Sequence, residues 1–321
     1  MQTQNPATPV PVAEPCFVPG QVWNDTNGEP INAHGGGLLY HEGVYYWYGE
    51  FKIAEPEGNK AQVGVSCYSS SNLYHWGNEG IALPVSEDPH HDLARGCILE
   101  RPKVLFNRAT GKFVMWFHLE LLGEGYQSAR VGIAVSDSPT GPFAFRESFR
   151  PDGAMSRDLT LFVDDDAAAY LFTASEDNRT LHISRLTDDY LQTSGEHTQA
   201  FPGRYMEAPA VFRHGGRYWF VGSGCTGWAP NAARSAVADR PFGPWEELDN
   251  PCVGPDAETT FSAQSTYVLP VAGRPDTFLF LADRWTPDNP IEGRYVWLPI
   301  TFTEGRFQIP WRDTWDLNES R

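Results

Sequence analysis

The sequence predicts an all-β fold: a five-bladed β-propeller that forms a single domain. Aromatic residues make up 13% of the 321 residues, and 30 Gly and 26 Pro supply frequent turns. Aromatic residues favour strands, and Gly and Pro end them, so this composition indicates many short strands joined by tight turns. The second observation is a repeat. Five aromatic-rich segments of one pattern follow each other along the chain, at residues 45–50, 113–118, 169–174, 217–222 and 277–282.

Each of these five segments predicts the second strand of a repeating unit. A tight polar turn precedes every segment, and a short apolar strand precedes every turn, so each unit opens with a hairpin. A third strand follows, and two units end it with Gly-Pro-aromatic, at residues 141–143 and 243–245. Units two to five begin near residues 100, 158, 207 and 264. This spacing is typical of propeller blades of about four strands.

A pair of β-sandwiches is the alternative all-β fold. It would also give short strands, but it would not repeat a whole strand-turn-strand unit five times. We therefore expect residues 20–321 to form one propeller domain. Residues 1–19 are rich in Pro, Thr and Ala and read as a flexible leader rather than an intact signal peptide. A removed signal peptide with an added Met1 would look the same, so we expect a secreted or periplasmic protein.

Charge and composition exclude several classes of function. The chain has 24 Lys and Arg against 41 Asp and Glu, a formal charge of −17. Such a surface repels phosphate backbones and anionic lipids, so we expect neither nucleic acid nor a membrane as a partner. No apolar run approaches the length of a membrane-spanning helix. The five cysteines lack zinc-site spacing, although one disulfide remains open.

Polar residues stand at the head of each predicted first strand. His34, Glu100, Asp158, Glu207 and Gln264 occupy equivalent positions, directly before strands that are otherwise apolar. The first strands of a propeller line its axis, so we expect these side chains to share one pocket. Three carboxyl groups that converge there repel each other, and burial adds to the effect. At least one should have a raised pKa and stay protonated near neutral pH, as a glycosidase acid requires.

Residues near these positions are candidates for sugar binding. Aromatic rings can stack on pyranose faces, and arginines can bridge hydroxyls and carboxylates. Trp228 is the strongest aromatic candidate, because it follows a glycine-rich loop that gives the indole little reason to be buried. The candidates are the aromatic residues Trp47, Tyr126, Trp228 and Trp285 and the arginines Arg101, Arg157 and Arg284.

The motifs resemble glycoside hydrolase family 43, the inverting propeller enzymes. The third blade has Asp158 followed by Leu-Phe-Val-Asp-Asp-Asp at residues 161–166, and the fourth has Glu207 before Ala-Pro. Ala-His-Gly-Gly-Gly (33–37), Tyr-Trp-Tyr-Gly-Glu (46–50), Glu-Arg-Pro-Lys-Val (100–104) and Thr-Gly-Trp (226–228) resemble the exo-β-1,3-galactanase subgroup. The resemblance implies an exo-acting hydrolase that releases galactose from β-1,3-galactan.

The same resemblance implies catalytic roles. Glu207 is the general acid, and Asp158, which we expect neighbouring Arg157 to hold, keeps it protonated. The family's usual first-blade Asp is replaced by the stretch that contains His34, so Gln264 is implied to handle the attacking water. Glu100 is implied to contact the sugar and is also a rival for the role of base. The substrate-binding residues that we predict are His34, Glu50, Arg101, Tyr126, Thr226, Trp228 and Arg284.

Two other functions stay open at this point. An α-L-arabinofuranosidase or β-xylosidase could use the same scaffold, and a non-catalytic glycan-binding propeller would not need the missing Asp. The expected partner is a polysaccharide or oligosaccharide, and we expect a monomer. Glycoside hydrolysis requires only protons and water, so no cofactor or catalytic metal is required. The resemblance leaves room for a structural calcium or sodium ion in the channel near His34.

Overall fold

The fold is an all-β propeller. The computed structural model describes residues 15–54, 56–303 and 305–318, which contain 22 strands and four single-turn 3₁₀ helices. Among these residues, none of the helices has the length and apolar character needed to span a bilayer. The 3₁₀ helices are Gly58–Lys60, Pro151–Gly153, Ala257–Thr259 and Pro290–Glu292.

Four sheets have four antiparallel strands in simple sequential order. The first contains β1 His34–His41, β2 Val44–Lys52, β3 Gln62–Ser70 and β4 Gly77–Pro84. The second contains β5 Ile98–Asn107, β6 Lys112–Glu120, β7 Arg130–Ser136 and β8 Ala144–Phe149. The third contains β9 Leu159–Val163, β10 Ala169–Ser175, β11 Thr180–Leu186 and β12 Thr193–Ala200. The fourth contains β13 Met206–His214, β14 Arg217–Gly224, β15 Arg234–Ala238 and β16 Glu246–Leu248.

The remaining strands form two sheets of three strands. One contains β18 Gln264–Pro270, β19 Phe278–Arg284 and β20 Arg294–Pro299, and the other contains β17 Cys252–Val253, β21 Thr301–Thr303 and β22 Arg306–Pro310. The predicted count of five blades was therefore wrong, because the strands form six sheets. The sixth sheet pairs β17 in parallel with the distant β22. These short strands lack the aromatic pattern that marks the other units, so the repeat could not reveal them.

The aromatic segments take the places that the repeat predicts. They form the second strands β2, β6, β10, β14 and β19, and each pairs in antiparallel with the strand before it. The first strands β1, β5, β9, β13 and β18 contact one another in a closed sequence around the axis. The heads of these strands therefore meet at one end of the axis, which is where the candidate site lies.

An aromatic cluster packs the first sheet against the sheet of β18–β20. Trp47, Trp76 and Trp297 are buried in it, and Trp47 contacts the rings of both others. Phe17 exchanges backbone hydrogen bonds with Trp315, so both ends of the described chain join this cluster. Residues 1–14, most of the predicted leader, lie outside the described residues. All five cysteines are free thiols.

Candidate active site

A cavity of about 370 Å³ opens where the heads of the first strands meet. Its walls bring together eight of the eleven predicted site residues. These are Glu50, Glu100, Arg101, Tyr126, Asp158, Glu207, Trp228 and Gln264. Four of the five predicted head residues therefore share one pocket, as the register of the repeat indicated.

Backbone irregularities at the strand heads shape this pocket. The pairing register shifts directly after His34, Glu100 and Glu207, and the next residue in each case has a left-handed φ of 52° to 62°. β-Bulges of this kind re-aim side chains beside active sites. Each shift also turns a backbone N–H toward a carboxylate of the preceding blade. The three hydrogen bonds run from Gly35 to Asp283 Oδ2 (2.7 Å), from Arg101 to Glu50 Oε1 (3.0 Å) and from Ala208 to Asp158 Oδ2 (3.0 Å).

Glu207 has the protonation behaviour of a general acid. Burial raises its pKa, and the neighbouring carboxylate of Asp158 raises it further, to about 7. Nδ2 of Asn178 donates a 2.6 Å hydrogen bond to Oε1 of Glu207 and so orients the carboxyl group. A carboxyl group with this pKa keeps its proton below neutral pH and can still release it in a reaction.

Arg101 connects the acid side of the cavity to Gln264. Its Nη2 donates to Oδ2 of Asp158 at 2.9 Å and to Oε1 of Gln264 at 2.6 Å, while Nη1 donates to the carbonyl oxygen of Ser265 at 3.0 Å. Arg101 thus takes the place that we expected for Arg157. Arg157 instead donates to the backbone oxygen of Tyr126 and to Asp177, so the expectation that it holds Asp158 was wrong.

The amide of Gln264 is held at both ends. Its Oε1 also accepts a 3.0 Å hydrogen bond from Nε1 of Trp285, and its Nε2 donates to Oγ of Ser223 at 2.9 Å. The side chain therefore has a fixed direction at the cavity wall. A group with a fixed direction can position a water molecule for attack, because it loses little freedom when the water binds.

Glu100 is an ionised carboxylate in a chain of buried charges. Its Oε2 lies 2.8 Å from Nδ1 of His118, whose Nε2 lies 2.8 Å from Oε1 of Glu120. Burial lowers the pKa of His118, but the hydrogen bonds and charges of Glu100 and Glu120 outweigh it and raise that pKa to about 9. Burial likewise raises the pKa of Glu100, and the effect of His118 outweighs it and lowers that pKa overall. Tyr126 donates its hydroxyl to Oε1 of Glu100 at 3.1 Å.

The first blade contributes Glu50 to the cavity wall. Its Oε2 forms a 2.5 Å ion pair with Nζ of Lys52, and both side chains are buried. Burial raises the pKa of Glu50, and the ammonium group of Lys52 opposes that shift. Glu50 therefore holds the backbone of Arg101 at the cavity wall, and Lys52 engages its other carboxyl oxygen.

The other three predicted residues do not line the cavity. His34 is fully buried, with its ring stacked on Tyr295 at 5.3 Å. Burial and the charge of Lys52 lower its pKa to about 3, so the ring is neutral. The hydroxyl of Thr226 bonds to Ala229 within its own loop.

Arg284 also lies away from the cavity. It bonds to the carbonyl oxygen of Phe261, with its guanidinium over the ring of Trp311. Trp47, another aromatic candidate, is 2% exposed in the aromatic cluster and cannot contact a sugar.

Sequence reasoning missed several residues of the site. Asn59, His118, Asn178 and Cys225 line the cavity, and Asp283 holds the bulge of the first blade. One signal could have found some of them. The residue opposite each head residue on the second strand is polar in four blades, and the pairs are His34 with Glu50, Glu100 with His118, Glu207 with Ser223, and Gln264 with Asp283.

Glu100, His118 and Asp158 each offer a ligand atom close to the others. Both ring nitrogens of His118 are already engaged, however, because Nδ1 lies 2.8 Å from Glu100 Oε2 and Nε2 lies 2.8 Å from Glu120 Oε1. The channel calcium or sodium ion that the resemblance allows stays a prediction, as do the monomeric state and the secreted or periplasmic location.

The fold and the site together define a glycoside hydrolase. A propeller cavity holds one carboxyl group with a raised pKa, a second carboxylate paired with arginine, and exposed aromatic rings. The family model "Glycosyl hydrolases family 43" matches residues 38–306, which is most of the chain. The chain belongs to this family.

Solved structures of the family superpose closely on this chain. A β-1,3-galactosidase of family GH43, solved with galactodeoxynojirimycin, is 47% identical with a TM-score of 0.91, and the match covers 94% of this chain and 100% of that one. The exo-β-1,3-galactanase of Phanerochaete chrysosporium, solved with β-1,3-galactotriose, is 34% identical over 96% of this chain and 69% of that one, with a TM-score of 0.86. The exo-β-1,3-galactanase of Clostridium thermocellum is 36% identical over 93% and 66%, with a TM-score of 0.85. No curated protein matches the chain.

Proposed function

We propose that this protein is an exo-acting hydrolase that releases galactose from β-1,3-galactan with inversion at the anomeric carbon. The observation that carries the proposal is Glu207, a carboxyl group on the cavity wall with a pKa near 7 beside the Asp158 carboxylate. The substrate follows from the relatives, which are a β-1,3-galactosidase and exo-β-1,3-galactanases. A carbohydrate substrate also fits the aromatic and charged walls of the cavity.

Glu207 acts as the general acid. It donates its proton to the glycosidic oxygen as the bond to the terminal galactose breaks, which stabilises the departing sugar. Asp158 keeps Glu207 protonated before the reaction, because two adjacent negative charges are unfavourable. Arg101 and the backbone of Ala208 hold Asp158 in place.

Gln264 positions the water molecule that attacks the opposite face of the sugar. Three hydrogen bonds, with Arg101, Trp285 and Ser223, fix its amide. Glu100 contacts the sugar through a carboxylate that His118 keeps ionised. An amide is a weak base, so Glu100 is the rival for accepting the proton of the water.

The first experiment measures activity on β-1,3-galactan beside nitrophenyl galactoside, arabinofuranoside and xyloside. We expect galactose to be released from galactan, and proton NMR should show the α-anomer first, because a β-linkage is inverted. Release of arabinose or xylose only would contradict the substrate, and a β-anomer would contradict inversion. Sugar binding without hydrolysis of any substrate would contradict an enzymatic function.

The second experiment assigns the residues. Glu207→Gln should lose roughly 10²-fold to 10⁴-fold in kcat on β-1,3-galactobiose, since the leaving sugar needs a proton. It should lose much less on nitrophenyl galactoside, whose leaving group needs none. If Gln264→Ala kept near wild-type activity while Glu100→Gln were inactive, the roles of those two residues would be exchanged.

A further inference from the structure

Three metal-ligating side chains meet on the outer part of the third blade, away from the cavity. His182 lies on β11, His197 lies on β12, and Asp152 lies in the 3₁₀ turn Pro151–Gly153. His197 faces Ser184 across the two strands, so His182, two residues before Ser184, points to the same face. Their ligand atoms all lie within 4.8 Å of one another.

His182 is buried without hydrogen-bond partners. Its side chain is 3% exposed, and neither ring nitrogen has a partner among the described residues. The nearest acidic oxygen, Oδ2 of Asp152, is 3.5 Å from Nε2, which is too long for a normal hydrogen bond. Buried polar groups nearly always have a partner, so an imidazole in this position indicates a missing one.

The distances fit an ion between the three side chains. Bonds of about 2.0 to 2.2 Å in a tetrahedral site place ligand atoms roughly 3.3 to 3.6 Å apart. The separation of His182 and Asp152 is 3.5 Å, and Nδ1 of His197 lies 3.9 Å from Oδ1 of Asp152. The two imidazole rings stack at 4.9 Å, so the ring of His197, which is 44% exposed, would rotate out of the stack to direct a nitrogen at the ion.

The surroundings also suit a metal site. Oγ of Ser184 donates a 2.5 Å hydrogen bond to Oδ2 of Asp152 and fixes the direction of the carboxylate, as residues around metal ligands do. Nδ1 of His197 also lies 3.2 Å from the carbonyl oxygen of Gly195. The ion would take the place of this carbonyl oxygen as the partner of Nδ1.

We propose that Asp152, His182 and His197 bind a transition-metal ion, Zn²⁺ in the first instance. Two imidazoles and one carboxylate suit Zn²⁺, whereas Ca²⁺ and Mg²⁺ prefer oxygen ligands. The exposed side of His197 leaves the fourth position to water. The ion would connect the turn at Asp152 to β11 and β12. None of the three side chains lines the cavity, so the ion would have a structural role and take no part in the reaction.

The test uses full-length protein treated with a chelator, then titrated with ZnCl₂ in a calorimeter. We expect one Zn²⁺ per chain and a rise in Tm, since an ion that binds only the folded state stabilises it by mass action. His197→Ala and His182→Ala should both lose this binding. His90→Ala, which removes an exposed histidine from another blade, should bind as the wild type does.

His197→Ala is the decisive variant if His182→Ala fails to fold, because the ring of His197 is 44% exposed and its loss leaves the core intact. Galactose release by the zinc-free protein should be unchanged in His197→Ala. Absence of Zn²⁺ binding at 100 µM ZnCl₂, or binding that His197→Ala retains, would overturn the proposal. Binding of CaCl₂ in place of ZnCl₂ would overturn it as well.

Discussion

Arg101 of the second blade forms a 2.9 Å ion pair with Asp158 of the third blade, and both side chains are largely buried. The same nitrogen, Nη2, also donates a hydrogen bond to Gln264, which begins strand β18. One residue therefore fixes the distance between Asp158, which we propose keeps Glu207 protonated, and Gln264, which we propose positions the attacking water. Arg101 thus connects residues of three blades. We therefore expect activity to depend on the shape of its guanidinium group as well as on its positive charge.

We predict that Arg101→Lys lowers kcat/KM on β-1,3-galactobiose by roughly 10²-fold, because a lysine cannot reach Asp158, Gln264 and Ser265 together. Steady-state kinetics measures the loss. Arg204→Lys is the matched control, since Arg204 forms an exposed ion pair with Glu247 outside the cavity. If Arg101→Lys were as active as the wild type, a positive charge at this position would be sufficient for activity, and the guanidinium geometry would not be needed.

The pKa of Glu207 predicts the alkaline limb of the pH profile. The acid must carry its proton, so kcat/KM should fall as the pH rises through about 7. Asp158→Asn removes a charge that raises this pKa, so the limb should move to lower pH while maximal activity also declines. A profile of kcat/KM from pH 4 to pH 9 measures both effects. If the alkaline limb of Asp158→Asn lay at the same pH as that of the wild type, the charge of Asp158 would not raise the pKa of Glu207.

Two tryptophans of the cavity should have separable effects. Trp228 is 43% exposed and bonds to no catalytic residue, so Trp228→Ala should raise KM about 3-fold to 10-fold with little change in kcat.

Trp285 donates a hydrogen bond from Nε1 to Oε1 of Gln264. Trp285→Phe keeps an aromatic ring but loses the donor, so kcat should fall about fivefold to tenfold. The opposite assignment of kcat and KM effects would place Trp228, not Trp285, beside the reacting atoms.

The sequence predicted the cavity because the repeat has a fixed register. Glu100, Asp158, Glu207 and Gln264 stand at the same place in successive units, so a correct alignment of the units brings them together. Knowledge of the repeat does not reveal contacts between blades. Arg157 is adjacent to Asp158 in the chain and was expected to hold it, yet a bulge turns Arg101 of another blade toward that carboxylate.

The sequence alone also did not show which of the aromatic candidates are buried. The glycine-rich loop predicts the exposure of Trp228 correctly, but Trp47 was also a candidate, and the alternation along β2 sends it into the core. His34 has the correct register but is buried against Tyr295 and does not line the cavity. The sixth sheet was missed because its parallel pair, β17 and β22, joins segments far apart in the chain.

The aromatic cluster should control stability without affecting substrate binding. Trp47 is 2% exposed and contacts Trp23, Trp76, Tyr295 and Trp297. Trp47→Ala leaves a large void between the first sheet and the sheet of β18–β20, so we expect a loss of about 3 to 5 kcal/mol in the free energy of unfolding. Urea titration measures it, and Ile81→Ala, at an exposed position, should change the free energy by less than about 0.5 kcal/mol. At a temperature where Trp47→Ala remains folded, its KM should equal that of the wild type. A raised KM with unchanged stability would instead place Trp47 in contact with the sugar.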